Sequence, residues 1–440
     1  MQPPRSSLWA NGAFVRFWTG RTISIFGSLV TRMALPFVAI LVLDASAIEV
    51  AFLRSVDLAA ALVFGLLAGA WVDRLRRRPV LIWSDILRAL LLGSIPLAFV
   101  LGALTLAQLI VVAALAAIFT TFADAADNAY LPTVVEREQL VPANGALAAS
   151  GSAAEFTAFG ISGFLVQALT APIAILVDAV SFVVSAVLVG TIRREEPAPP
   201  AKSDREPVMT EIREGLRIAL RDPTLRAFVL AQMAMSAMWG VFGATWLLFA
   251  TRELELGPAA IGLIAGVGGV ASFIGAVAAD RSTRRWGVGP VAIVAMLLAA
   301  LGNLLIPLAP AGAPLVAVVF LVGQQLIGDS AVTLYDVTET SVRQAYVHER
   351  ALGRVASSFH VAAVLAQLIA TIGGGLAAEA IGLRGATFLA PLGALLAAAA
   401  LWFSPARTLR GLPAEPVHGP PLLRAAEAVV ETGRDEPIGG

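Results

Sequence analysis

Two short charged phrases interrupt an otherwise apolar chain, and their residue types suit switchable electrostatics. Asp73-Arg74-Leu75-Arg76-Arg77-Arg78 separates two apolar runs in the first half, and Asp280-Arg281-Ser282-Thr283-Arg284-Arg285 separates two in the second. A carboxylate in such a phrase can sit against the positive N-terminal end of a neighbouring helix and stabilise one packing of the chain. The guanidiniums beside it can hold a connection on one side of a membrane. Three more charges, Arg32, Asp57 and Glu155, lie inside apolar runs. A charge in that setting is costly, so it faces a partner or water and marks a candidate site. Arg32 and Asp57 fall at depths about 5 Å apart at 1.5 Å of rise per residue, close enough for an ion pair. Glu155 sits midway along its run. Glu155 and Asp57 are therefore the candidates for carrying a proton, with Arg32 as a cation that either could alternate with. A static Arg32–Asp57 pair that only locks the first half together is the other reading.

The elements that must position these groups follow from composition. The 440 residues are 58% hydrophobic and 14% charged, with a mean hydropathy of +0.81, far more apolar than an average soluble domain. A helix needs about 20 mostly apolar residues to cross the hydrocarbon core. Runs of that length occur at 17–43, 49–72, 79–101, 105–127, 142–168, 171–191, 224–250, 257–279, 288–309, 313–335, 352–378 and 384–403. They predict twelve spanning helices, because alternating strands of the kind that build membrane barrels do not occur. The first run is longer than a signal-peptide core and lacks a small-residue cleavage site after it, so it is expected to remain as a helix. Cysteine is absent and only His348, His360 and His418 are present, which excludes thiolate metal sites and disfavours a histidine cage. No metal and no cofactor is expected.

Sidedness comes from arginine. Arg74, Arg76, Arg77 and Arg78 fall in one connection, Arg281, Arg284 and Arg285 in another, and Arg193, Arg194, Lys202, Arg205, Arg213, Arg217, Arg221 and Arg226 between the sixth and seventh runs. The connections at 44–49, 101–106, 168–172 and 309–314 hold no Lys or Arg, and only Arg252 and Arg384 break the pattern. The positive-inside rule then places both termini and the central connection in the cytoplasm of a multi-pass inner (plasma) membrane protein. The chain divides into an N-terminal six-helix bundle at 1–192, a linker at 193–222, a C-terminal six-helix bundle at 223–404 and a disordered tail at 405–440. The linker opens on the polar, proline-rich RREEPAPPAKSDREP. It continues with Ile212, Leu216 and Leu220 at helical spacing, an amphipathic helix expected to lie on the inner membrane face.

Twelve spans in two halves, with the charged phrase between spans 2 and 3 and again between spans 8 and 9, resemble the major facilitator superfamily. Gly69, Asp73, Arg74, Arg77 and Arg78 match its loop signature, with Arg76 where a second Gly is usual. In the second copy Asp280, Arg281, Arg284 and Arg285 match, while Ala276 and Thr283 replace both glycines. EGLRIALRDPTLRAF at 214–228, LPTVVEREQLVPANG at 131–145, VDAVSF at 177–182 and LGRVASS at 352–358 are similar to the macrolide-efflux and enterobactin-exporter branch of drug–proton antiporters. Asp85 and Arg88 fit it too. The fifth span carries Ala158-Phe159-Gly160-Ile161-Ser162-Gly163 where many antiporters have a Gly-Pro-x-x-x-Gly-type motif; it lacks the proline but keeps small residues that allow close helix contact. The resemblance implies that Asp73 meets the start of span 11, near Leu352 to Arg354, and that Asp280 meets the start of span 5, near Pro142 to Asn144. These contacts form and break as the halves rock in an alternating-access cycle.

Other polar residues rank below these. Gln232 and Trp239 on span 7, Gln324 and Gln325 on span 10 and His360 on span 11 are candidates for a central cavity, where a few polar atoms would orient an apolar ligand. Asp124, Asp127, Asp329 and Asp336 lie toward the arginine-bearing ends of spans 4 and 10 and suit gate ion pairs. No GxxxxGK[ST] phosphate loop appears, so direct ATP drive is not expected, and no clustered catalytic set argues for an enzyme. The expectation is a monomeric secondary transporter exporting amphipathic small molecules on the proton gradient, with the bilayer and substrate as partners and no nucleic acid. Uptake, a lipid or metabolite transporter of the same fold, and a non-transporting membrane sensor remain open alternatives.

Overall fold

A computed structural model describes residues 8–72, 75–194, 196, 208–413 and 416–417. The architecture is all-α. In chain order the helices are α1 (Gly12–Phe37), α2 (Ala47–Val72), α3 (Arg77–Val100), α4 (Leu106–Val134), α5 (Leu140–Leu169), α6 (Ala171–Gly190), α7 (Val208–Arg221), α8 (Pro223–Leu248), α9 (Pro258–Trp286), α10 (Val288–Leu308), α11 (Pro314–Gln324), α12 (Ser330–Tyr346), α13 (Glu349–Thr387) and α14 (Ala390–Trp402). Among the described residues nine helical spans are long and apolar enough to cross a membrane, and α5, bent by 40° between Glu155 and Thr157, makes a tenth. The 26-residue α2 and the shorter, 13-residue apolar α14 are consistent with a twelve-helix arrangement.

Local chemistry sets where helices start and stop. Asn11 accepts from the amides of Ala13 and Phe14, Thr105 from Gln108, and Asp222 from Thr224 and Leu225, each satisfying donors that a first turn leaves unpaired. Proline opens α8, α9 and α11, where its missing N–H costs nothing. Gly382 at φ 80° breaks α13, a conformation that a side chain would strain. Leu90, Val100, Phe273, Leu315, Val319 and Leu396 point outward, as helices solvated by lipid require. Trp9, Trp71, Trp83, Trp286 and Trp402 are each more than half exposed. All five lie at helix ends on the arginine-bearing side, where tryptophan favours the headgroup level.

One feature of the two halves was invisible in the sequence. α1 ends in a π-helical turn, Val38–Val42, followed by Asp44 at φ 50° and an Ala45 N to Ala39 O hydrogen bond. α8 ends the same way, in Phe249–Glu253, Glu255 at φ 53° and a Leu256 N to Ala250 O bond. The repeat inferred from the charged phrases is therefore also a repeat of backbone conformation.

Two expectations need correction, and a third gains a contact. The second charged phrase does not form a loop: α9 continues through it to Trp286, and the turn is made by Gly287 at φ 93°. The start of the tail is not disordered: Ala406 is fully buried and Gly289 N donates to Leu409 O, while 414–415 and 418–440 lie outside the described residues. The linker helix α7 is also tied to the second half, with Leu216 half-buried and Leu220 exposed on its other side. It docks on α13 through Gly215 and Ala219, and a Cβ at Gly215 would lie 2.2 Å from the Arg354 carbonyl oxygen. The Arg354 guanidinium also pairs with Glu214. Small residues let the backbones approach closely.

Candidate functional site: a cleft between the two halves

The halves touch at the end remote from the arginines. There α5 packs on α9, and α2 packs on α13 and α8. Gly163 meets Pro258 and Gly262 so closely that a Cβ would lie 2.4 Å from the Pro258 oxygen, and a Cβ on Gly375 would lie 2.5 Å from Ala51 Cβ. Polar contacts frame the seam. Ala259 N donates to Gln167 Oε1 at 3.1 Å, and Ile48 N to Glu379 Oε1 at 3.4 Å. Arg252 donates to Asp44 at 2.6 Å and to the Ala45 oxygen at 2.9 Å. One hydrophobic core, including Val30, Phe37, Leu53, Leu248, Phe249 and Ile261, runs through both halves at this end. At the arginine end the core divides. Phe14, Phe17, Tyr130 and Val189 pack within the first half, and Phe228, Tyr335, Val355 and Phe359 within the second. The halves thus part toward the arginines, leaving a cleft.

Glu155 lies on α5 two helical turns from Gly163, toward the arginine end. It lies one helical turn from Phe159 on the face of α5 that carries the seam, and it is exposed where Gly163 is closed against α9. The bend beside it has a cause: Thr157 Oγ1 donates back to Ala153 O at 2.8 Å and to Ala154 O at 3.4 Å, a competition that bends helices. Asp57 and Arg32 are exposed on α2 and α1. Among the described residues no ion pair within 4 Å joins them, contrary to the pairing expected from their depths. Arg54, one turn before Asp57, lies within electrostatic range of both Asp57 and Arg32, so the three form one charged group. Arg54 is not apparent from depth-matched pairs on adjacent spans. An acid three residues away on the same helix was the available signal.

In the second half α8 carries Trp239, Phe242 and Trp246 at helical spacing, each half-buried. Trp239 meets Phe242 edge-on at 5.3 Å, and Phe242 stacks on Trp246 at 5.3 Å. Gln232, two turns nearer the arginine end, is half-buried, and its Oε1 has no hydrogen-bond partner. His360 on α13 and Asp336 on α12 are exposed. Gln324 and Gln325 are buried inside the second half, where Gln325 Nε2 donates to Ile264 O at 3.3 Å beside a π-helical turn, so neither opens onto the cleft in this conformation.

The charged phrases are placed unequally. Asp73 and Arg74 lie outside the described residues. Arg77 and Arg78 begin α3, and their amides donate to the Glu196 carboxylate at 2.6 and 2.8 Å. The Arg78 guanidinium binds the Val189 and Gly190 carbonyls at the end of α6, as a cation at a helix C-terminus should. Asp280 accepts from Arg284 at 2.7 Å within α9. Among the described residues no hydrogen bond or ion pair joins it to Pro142, Ala143 or Asn144. Arg281 is exposed, and the Arg285 guanidinium lies 5.5 Å from the Trp286 ring centre.

Several buried charges belong to the scaffold. Arg88 pairs with Asp85, both nearly inaccessible, and lies 4.0 Å from the Phe182 ring centre. Arg21 bridges Asp124 at 2.7 Å and Asp127 at 2.8 Å within the first half. The two arginines that broke the charge pattern are also accounted for. Arg252 spans the seam. Arg384 holds Glu253 at 3.1 Å and donates to the Pro307 and Ala309 oxygens at 2.6 and 2.8 Å. Among the described residues no group of three or more His, Asp or Glu could hold a metal ion.

Comparison with known proteins agrees with this architecture. The family model of the Major Facilitator Superfamily matches residues 17–335. The multidrug efflux pump Tap of Mycolicibacterium fortuitum is 28% identical over 374 residues, covering 83% of this chain and 88% of that protein. A bacterial homologue of the iron transporter ferroportin, in its inward-facing state, superimposes with a TM-score of 0.73 at 19% identity over 90% of this chain and 99% of that one. The same homologue in its outward-facing state gives 0.55 at 19% identity over 89% and 98%.

Proposed function

The chain belongs to the Major Facilitator Superfamily, and from that premise we propose that it is a proton-coupled exporter of amphipathic small molecules, with the arginine end in the cytoplasm of the inner membrane. Membership makes it a multi-pass membrane transporter; the ion, direction and substrate are the reading advanced here. What supports it is an exposed acid, Glu155, on α5 on the arginine side of the sealed seam, together with the aromatic run of α8. A carboxylate there exchanges its proton with the compartment to which the cleft is open. The aromatic ladder of Trp239, Phe242 and Trp246 offers flat apolar surface to a ligand, with Gln232 and His360 as polar contacts.

The cycle follows from the seam. In this conformation the far end is sealed by Gly163 on Gly262, Ala51 on Gly375 and Arg252 on Asp44. Ligand enters from the arginine end. Closing the cleft behind it would bring the charged phrases of the two halves to their partner helix ends, while the seam opens on the far side. Protonation of Glu155 from the far side and release on the arginine side would then drive export. Tap is a multidrug efflux pump, which supports export over uptake. The test uses inverted vesicles carrying the protein. An imposed pH gradient, acidic inside, should drive uphill accumulation of lipophilic dyes, and a protonophore should abolish it. Accumulation indifferent to the gradient would refute proton coupling.

A further inference from the structure

A second pocket lies outside the cleft, at the arginine end of the first half. It encloses about 790 Å³ between the start of α1, the end of α4 and the end of α6, and Arg16, Arg193, Arg194 and Glu136 line it. Arg16 donates only a long bond, 3.4 Å, to the Thr191 carbonyl oxygen. Among the described residues none of the three arginines forms an ion pair. Three solvent-exposed arginines and one glutamate line it, so among the described residues the pocket carries excess positive charge that favours an anion. The helix end is not the attraction, since Asn11 already takes the Ala13 and Phe14 amides and fixes Val134 O through its Nδ2 at 2.9 Å.

We propose that this pocket binds a phosphate-bearing anion through Arg16, Arg193 and Arg194. Guanidinium forks match phosphate oxygens in pairs, and three of them around one concavity suit a tetrahedral anion better than a planar carboxylate. The volume exceeds that of inorganic phosphate and leaves room for a substituent such as a lipid headgroup. The level is right for that source. Trp9, next to the pocket residue Ala10, is exposed and edge-on to Trp18 at 5.0 Å, and four other exposed tryptophans share its side of the molecule. Basic clusters at this level attract anionic lipid. The arginines that orient the chain in the membrane would then also hold a ligand there.

The test uses the full chain in phosphatidylcholine nanodiscs with and without phosphatidylglycerol, with bound lipid counted by native mass spectrometry. Thermal protection by inorganic phosphate and pyrophosphate is measured in parallel. Phosphatidylglycerol should be retained by the wild type and by Arg407→Gln, an exposed arginine at the same end. Affinity should fall about fivefold for each guanidinium lost in Arg16→Gln or Arg193→Gln/Arg194→Gln. Glu136→Gln should bind more tightly, which keeps the proposal testable if the arginine variants misfold. Protection by phosphate or pyrophosphate with the same variant dependence, without preference for phosphatidylglycerol, identifies a soluble source. Lipid retention and phosphate protection that ignore all these substitutions overturn the site.

Discussion

Gly163→Ala should push the transporter out of the conformation described above. The added Cβ would lie 2.4 Å from Pro258 O and 2.9 Å from Gly262 Cα. Both are backbone atoms, so no side chain can move aside. Overpacking of this kind costs roughly 1–3 kcal/mol, and the cost falls only on the state in which the seam is closed. The population ratio of sealed to opened far ends should therefore drop by about 5- to 150-fold. Gly160→Ala is the internal control: the same helix, the same gain in helix propensity of about 1 kcal/mol, and nothing within 4 Å of its Cβ. The chain has no cysteine, so spin labels can be placed at Ala103 and Ala311, exposed positions in far-end connections of the two halves. Distances measured by double electron–electron resonance should be unimodal and short in the wild type and in Gly160→Ala. In Gly163→Ala a longer population should dominate. If that variant keeps the wild-type distances and remains folded, the seam does not set the conformational balance.

Three further outcomes follow from the same geometry. Arg252→Gln should act in the same direction but weakly, by about 0–1 kcal/mol, because its partner Asp44 is 94% exposed; the same label pair reads it. Asp85→Asn should lower stability by roughly 3–5 kcal/mol by stranding Arg88 in the interior, seen as loss of monodisperse protein in detergent, and Asp85→Asn/Arg88→Met should restore much of it. Cysteine at Ala103 should react with an impermeant maleimide in intact cells while cysteine at Ser282 should not; the reverse pattern would invert the proposed orientation.

The fold was legible because its cause is collective. Twelve apolar runs, a charge bias on one side and a repeated phrase each reflect many residues, and no single packing detail alters them. The residue-level expectations depended on geometry that periodicity does not carry. Depth along a helix matched Arg32 to Asp57, but rotation about the axis also decides which charges meet, and the nearby Arg54 joins them in one charged group. Gln324 and Gln325 read as cavity residues until a π-helical turn set them inside the second half. Gly215 looked unremarkable beside Leu216 and Leu220, yet its missing side chain admits the Arg354 backbone and docks the linker helix. The small residues of the fifth span were the exception. Their sequence signal, close helix contact, is what Gly163 makes with Gly262.

The central claim is that Glu155, on the arginine side of the sealed seam, couples protons to the movement of ligand. The most direct measurement is transport by purified wild type and Glu155→Gln in proteoliposomes, with the same dye followed both down its own gradient and uphill against it under an imposed pH gradient. The account predicts that Glu155→Gln still equilibrates the dye down its gradient but no longer concentrates it, and that dye movement no longer carries protons. Uphill accumulation by Glu155→Gln at the wild-type level, with proton movement intact, would contradict it.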